Sequence, residues 1–414
     1  MNARTDLANL KKKCQNATKT GGCHGMGYKF ASVEERRRQF QKKFPDRSIL
    51  DFGIGRPQEA PPSGAMDGLV RALARPNCHG YAECGCRDFL ETVARYLERN
   101  FFLQLEPEEE ILPSMGIKNA LTYLALEFLR PGDVLLATVP GYPVLPTHAA
   151  LRGVEVVSLP LLKKNFFLPD FSSVPPAILH RAKLLLLNYP NNPTGALAGA
   201  DFFQKAVAFA QEHGLIVAHD AAYAGLHGPA AFSILQIPGA KDICLELYSC
   251  SKAHNMTGWR IGWVCGGRLP IAAYRRAKEC SDSGQFLPIQ YGAMAALDDD
   301  DFCARSLALL DRRCRAVERL LCGEGGAGFA EQPPHHPFYL YLPAPTAVDE
   351  IALATAAEFS DWLLAEEGIL TIPWDEVGHY VRFSMTIPLE PDELEQQLAE
   401  RLARHRFCHG RAGG

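Results

Sequence analysis

Short, wholly apolar runs recur through the middle of the chain, separated by stretches whose apolar positions repeat at helical spacing. Runs such as LLLLNYP and GLIVAHD suit strands covered on both faces, and they are too short to span a membrane. The pattern predicts strands at residues 110–113, 134–138, 155–159, 183–188, 215–220, 243–249 and 261–265. Helices are predicted between them at 120–129, 200–213 and after Pro288. Such alternation is the mark of a sheet wound on both faces. The expectation is an α/β fold with a mostly parallel seven-stranded sheet between helices.

The flanks read differently. Residues 32–44, SVEERRRQFQKKF, predict an amphipathic helix, and the acidic run DDDDF at 298–302 reads as a break. Beyond it come a helix over 304–321, the strands FYLYLP and VRFSMTI, and helices at 352–367 and 391–404. The chain therefore divides into a large domain, 61–297, and a smaller α+β domain made of 1–60 and 298–414 with an N-terminal arm.

Composition narrows the function classes. At 414 residues the chain exceeds what a single core usually serves, in keeping with two lobes. A net charge of -4 gives no electrostatic reason to expect nucleic acid, and the basic runs at 11–13 and 36–38 read as solvated helix faces. The polar start MNARTDLANLKKK lacks the apolar stretch of a signal peptide, so a cytoplasmic enzyme is expected. The 13 cysteines are odd in number and never spaced Cys-x-x-Cys. Cys78, Cys84 and Cys86, with His79 beside them, match no common zinc spacing and read as free thiols.

In sheets of this kind ligands bind beyond the carboxyl ends of the strands, and the polar groups of this chain fall there. ILPSMGIKNAL reads as strand, turn at Gly116 and helix. The unpaired N–H groups of Ile117 and Lys118 suit a phosphate, although ordinary turns also use glycine. VPGYPVLP holds Tyr142 in a stiff turn, either to lie on a planar ligand or to pack at a seam. NYPNNPTG puts Asn192 before a proline, aimed into the crevice or serving the turn alone. LIVAHDAAY ends a buried strand in Asp220, followed by Tyr223. A carboxylate there costs several kcal/mol unless satisfied, by a protonated pyridine nitrogen or by a cap. Finally, SCSKAHNMTGWR gathers Ser249, Ser251 and Arg260, which suit a dianionic phosphate, around Lys252. A lone lysine in such a segment reads as a surface residue. Five features in fixed order at successive strand ends point instead to pyridoxal phosphate, held covalently by Lys252.

Along nearly its whole length the chain resembles the fold-type-I aminotransferases of class I/II. The resemblance implies the pyridoxal-phosphate-dependent transferase fold. It implies that Lys252 carries the cofactor, Asp220 pairs with its ring nitrogen and Tyr142 stacks on its ring. Asn192 and Tyr223 match groups that bond its phenolic oxygen. Ile117, Lys118, Ser249, Ser251 and Arg260 match the phosphate site. Tyr81 resembles a tyrosine that reaches the phosphate of a neighbouring subunit, implying a homodimer with active sites at the interface. Arg382 in YVRFSMTI matches the arginine that pairs with the substrate α-carboxylate, and Gly55 in DFGIGRP a glycine that lets substrate approach.

Within the family, segments such as GYKFASVEERRRQF, FFLPDFSSVP and DSGQFLPIQ are similar to the LL-diaminopimelate aminotransferases. That likeness implies a substrate contact at Tyr28 and places Lys118 at the distal end of the substrate. The implied reaction moves the amino group of glutamate to tetrahydrodipicolinate, giving LL-diaminopimelate for lysine and peptidoglycan synthesis. Arg56, where many relatives are acidic, and Ser283, where some offer asparagine, depart from the pattern at the distal contacts. TIPWDEVG replaces a more usual Pro-Gly turn. The alternatives are a broader aspartate, alanine or aromatic aminotransferase, a carbon–sulfur lyase on the same scaffold, or a regulator, which the complete catalytic set argues against. The partners expected are small amino and oxo acids, not nucleic acid or membrane. No metal site is expected: His335–His336 reads as a loop detail, and His219 as packing beside Asp220.

Overall fold

Seven strands form the central sheet: β1 (Ile111–Ser114), β2 (Val134–Val139), β3 (Glu155–Pro160), β4 (Ala182–Asn188), β5 (Ile216–Asp220), β6 (Cys244–Ser249) and β7 (Gly262–Gly266). The computed structural model describes residues 29–82, 84–226 and 232–409; Tyr28 lies outside them. The spatial order is β1-β7-β6-β5-β4-β2-β3. Strands β2 to β6 pair in parallel, while β7 runs antiparallel to both β6 and β1. The predicted strands are all present within a residue or so of their expected ends.

Alternation along these apolar strands feeds two cores at once. Leu185 and Leu187 face one core with the helices Arg87–Phe101, Ala200–His213 and Leu287–Leu297. Leu184 and Leu186 face the other, with Ile117–Phe128, Val144–Leu151 and Arg268–Glu279. Burial on both faces explains why the strand sequences are continuous apolar runs.

A third core lies outside this sandwich. The helices Asp300–Cys322, Ala356–Glu367 and Pro391–Leu402 pack with an antiparallel sheet of Tyr339–Pro343, Tyr380–Ser384 and Ile372–Trp374. The acidic run does break the chain between the helices Leu287–Leu297 and Asp300–Cys322, but the second helix begins at Asp300 rather than at 304. Asp299 caps the long helix by accepting from Phe302 N at 3.0 Å, and Asp300 and Asp301 place negative charge at its positive end. The helix expected from 352 begins at Ala356 instead, because Ile351–Ala352 pairs with Ala347–Val348 and Thr355 supplies the cap. Leu50–Asp51 pairs with Ile369–Leu370, and Ser384 N donates to Phe52 O at 2.9 Å. These bonds tie the segment carrying Gly53 and Gly55 to the third core.

Candidate active site

Register brings the chemistry to one edge of the sheet. Asn188 is opposite Asp220, and Gly262 is opposite both Ser249 and Ser114. Because β7 is antiparallel, its beginning lies where its neighbours end, so Arg260 arrives beside Ser249 from a strand start. A cavity of about 240 Å³ opens along this edge. Ile117, Lys118, Tyr142, Asn192, Asp220, Tyr223, Ser249, Ser251, Lys252, Arg260 and Gly55 all line it.

At one end the 117–128 helix starts at Gly116, whose φ of 74° favours glycine. A Cβ there would sit 2.4 Å from Arg260 Nη2, so the missing side chain also makes room for the guanidinium. Arg260 itself holds a φ of 56°, uncommon for a residue with a Cβ, and donates to Thr257 O at 2.8 Å and to Met115 O at 3.3 Å. Ser249 Oγ accepts from Ser251 N at 3.1 Å, which fixes the turn that presents Lys252. A helix start, two hydroxyls and a guanidinium form a site for a dianion.

At the other end Asp220 is buried at the end of β5. One carboxylate oxygen accepts from Ala222 N at 3.1 Å, and the group makes no ion pair among the described residues. Burial raises its pKa to about 6, against the smaller pull of the Ala222 N–H and of His219 and Lys252. Lys252 lies between the two ends and donates to Gly55 O. Burial lowers its pKa to about 7, helped by Arg382, Arg260 and Arg56. An amine with that pKa is largely neutral just above neutrality, as a nucleophile must be.

Asn192 is held by two neighbours: its N–H donates to Asn188 Oδ1 at 2.8 Å, and its Oδ1 accepts from Arg382 Nη1 at 2.7 Å. Asn188 Nδ2 in turn donates to Asp220 O at 2.8 Å, linking the ends of β4 and β5. Arg382 is fully buried, also donates to Gly53 O at 2.5 Å, and lies 4.3 Å from the ring centroid of Tyr339. It stands directly behind the cavity wall that Asn192 and Tyr339 form. Tyr81 stays outside the cavity, 86% exposed.

The sequence reading missed Tyr339. Its hydroxyl lies 2.9 Å from that of Tyr223, and a Cβ on Gly55 would come within 2.1 Å of it. FYLYLP reads only as a strand, because the closing partner of Gly55 comes from far along the chain. His219 is corrected: strand alternation turns its ring from the Asp220 carboxylate to the opposite face, where Nδ1 lies 2.8 Å from Glu246 Oε1 beside Phe203. Every described cysteine is a free thiol, and Cys84 accepts from Arg275 at 2.9 Å.

The donor set fits pyridoxal phosphate: an unpaired buried acid for a protonated ring nitrogen, a dianion site for the phosphate, and a low-pKa amine between them. The comparisons agree. The model of the family "Aminotransferase class I and II" matches residues 47–402. The chain belongs to the class I and II aminotransferases. The aminotransferase is 40% identical over 359 residues to an LL-diaminopimelate aminotransferase of Methanocaldococcus jannaschii, covering 86% of this chain and 85% of the relative. It is 39% identical over 369 residues to one of Methanococcus maripaludis, covering 88% of each. Among solved structures, substrate-bound BacF from Bacillus subtilis matches with a TM-score of 0.82 at 30% identity, covering 94% of this chain and 97% of that one. Aspartate aminotransferase from Thermus thermophilus with maleate matches at 0.80 and 26%, covering 91% and 96%. The aminotransferase is a pyridoxal-phosphate-dependent transaminase, and its α/β fold is that of these enzymes.

A pH dependence follows from Lys252. Its neutral fraction grows as pH rises toward its pKa of about 7. Capture of pyridoxal phosphate by cofactor-free enzyme should therefore accelerate about tenfold per pH unit below that point and level off above it. Ionisation of Asp220 near pH 6 acts in the same direction. Stopped-flow absorbance measures the rate; a flat profile across pH about 5–8 would remove the low amine pKa from the account.

Proposed function

We propose that the aminotransferase moves the amino group of glutamate to the open form of tetrahydrodipicolinate, giving LL-diaminopimelate and 2-oxoglutarate. The carrying observation is that three guanidinium groups stand around the cavity: Arg260 lines it with Lys252, Arg382 holds Asn192 of its wall, and Arg56 adjoins Gly55 of the lining. Arg260 serves the phosphate site and Arg382 the α-carboxylate. Arg56, exposed and next to Gly55 of the cavity wall, is left for a second carboxylate. Glutamate and diaminopimelate both carry one. The names of relatives at 40% and 39% identity support the same substrate.

Bound pyridoxal phosphate supplies an aldehyde that carries the amino group and a ring that takes up the electrons of the broken α C–H bond. Lys252 Nζ removes the proton from the substrate α-carbon and later returns one. Asp220 would accept a hydrogen bond from the cofactor's ring nitrogen and keep that nitrogen's proton in place. Tyr223 and Asn192 would hold the phenolic oxygen and Tyr142 would cover the ring, while Arg382 with Asn192 would orient the carboxylate in the Gly55 cleft.

The reading includes a large cofactor-binding domain, 61–297, and a small one, 1–60 and 298–414; the separate third core supports that division. It also includes a cytoplasmic homodimer. Exposed apolar side chains on neighbouring segments, Met66, Val70, Leu73, Tyr81 and Phe286, support an interface there. No helix among the described residues is long and apolar enough to cross a membrane.

A substrate panel tests the proposal. Purified enzyme should show a kcat/KM for LL-diaminopimelate at least about 100-fold above aspartate, alanine and phenylalanine. Parity overturns the specificity in favour of a broad aminotransferase. Pyruvate and ammonia released from cystathionine would mark a lyase.

A further inference from the structure

Away from the cofactor pocket, the 300–322 helix and the loop before Tyr339 bring together three side chains that the transamination reading leaves without a task. Cys314 and Glu318 stand one turn apart on the same helix face. His335 meets them from the loop. One donor atom from each lies within 4.8 Å of the other two. His335 Nε2 is 3.6 Å from Cys314 Sγ and 3.5 Å from Glu318 Oε1.

These separations carry information. A tetrahedral zinc ion, with Zn–S near 2.3 Å and Zn–N or Zn–O near 2.0–2.1 Å, places sulfur about 3.6 Å from nitrogen and nitrogen about 3.4 Å from oxygen. Both spacings from His335 match these edge lengths, and the Cys314 and Glu318 donor atoms lie within 4.8 Å of each other. The histidine is also oriented as a ligand. Its Nδ1 lies 3.0 Å from Pro333 O, and since a carbonyl only accepts, the proton is on Nδ1. Nε2 therefore presents its lone pair to the cysteine and glutamate, the usual arrangement for a metal-bound histidine. Cys314 is almost wholly buried, while the side chains of His335 and Glu318 are 10% and 33% exposed. The group is therefore reachable from solvent on the Glu318 side.

We propose that Cys314, Glu318 and His335 bind a borderline-soft divalent cation of the zinc class, with water as the fourth ligand. Thiolate and imidazole donors select against magnesium and calcium. The site is tied to the cofactor pocket through the backbone. His335 bridges Ala196, His336 N donates to Gly195 O at 2.7 Å, and Gln332 donates to Thr194 O. A bound ion clamps this loop to the 300–322 helix, and the loop in turn bonds the turn that presents Asn192.

Cobalt(II), titrated into chelator-treated holoenzyme, tests the proposal. The expected result is one equivalent per chain, with a thiolate-to-cobalt absorption band and the visible bands of a tetrahedral centre. Cys314→Ser should abolish the thiolate band. His335→Asn and Glu318→Gln should weaken binding by at least about 10–100-fold while metal-free aminotransferase activity stays within about twofold of wild type, which reports an intact fold. If Cys314→Ser does not fold, His335→Asn carries the test from the loop. No cobalt binding overturns the proposal and leaves a Cys314–His335 hydrogen bond with Glu318 beside it. A thiolate band that survives both Cys314→Ser and His335→Asn overturns it too, by assigning the ion to another cysteine.

Discussion

Lys252→Ala is expected to lower kcat with glutamate by at least about 10⁴-fold, the upper range for one proton-transferring group. After borohydride treatment no pyridoxyl label should remain at position 252, because the low-pKa amine that holds the aldehyde is gone. Misfolding is not the reason. With its pKa lowered from 10.5 to about 7, Lys252 binds its proton more weakly folded than unfolded. The unfolded chain therefore holds more protons between those values, so cofactor-free stability rises with pH across that window. Removing the lysine removes this slope, and the variant should melt no lower than wild type at pH 7. A glutamate half-reaction at the wild-type rate would end the assignment of Lys252.

Asp220→Asn should separate holding the cofactor from using it. The amide keeps the shape and the Ala222 bond at 3.1 Å but loses the charge opposite the ring nitrogen. Label fixation at Lys252 should persist, while kcat/KM falls about 10²–10³-fold, the loss typical of one preorganised electrostatic partner. The linkage has the opposite sign from that of Lys252. Asp220 binds a proton more tightly folded than unfolded, its pKa rising from 3.8 to about 6. Cofactor-free stability accordingly falls as pH rises through that window, and the asparagine variant should flatten the fall. Activity within tenfold of wild type would remove the ion pair from the mechanism.

Much of this architecture could be read in advance, because buried parallel strands need continuous apolar runs and their ends need polar turns. The helix 200–213 is present with its expected bounds, and all seven strands were found. Misreadings arose where a local pattern has two uses. The acidic run before Phe302 is a break and also caps the next helix, which therefore starts at Asp300 rather than at 304. His219 adjoins Asp220 in sequence yet sits on the other face of β5.

What the sequence determined by itself was the identity and order of the groups that line the cavity: Tyr142, Asn192, Asp220, Ser249, Ser251, Lys252 and Arg260 each belong to a short segment whose turn chemistry is local. The tertiary structure alone decided what depends on distant segments meeting. The reversal of β7 delivers Arg260 to the phosphate end, Tyr339 crosses 116 residues to reach Tyr223, and His335 comes within reach of Cys314. Periodicity reports which face of an element is apolar, but contacts across a core arise only when whole elements pack, and no local pattern records the partner.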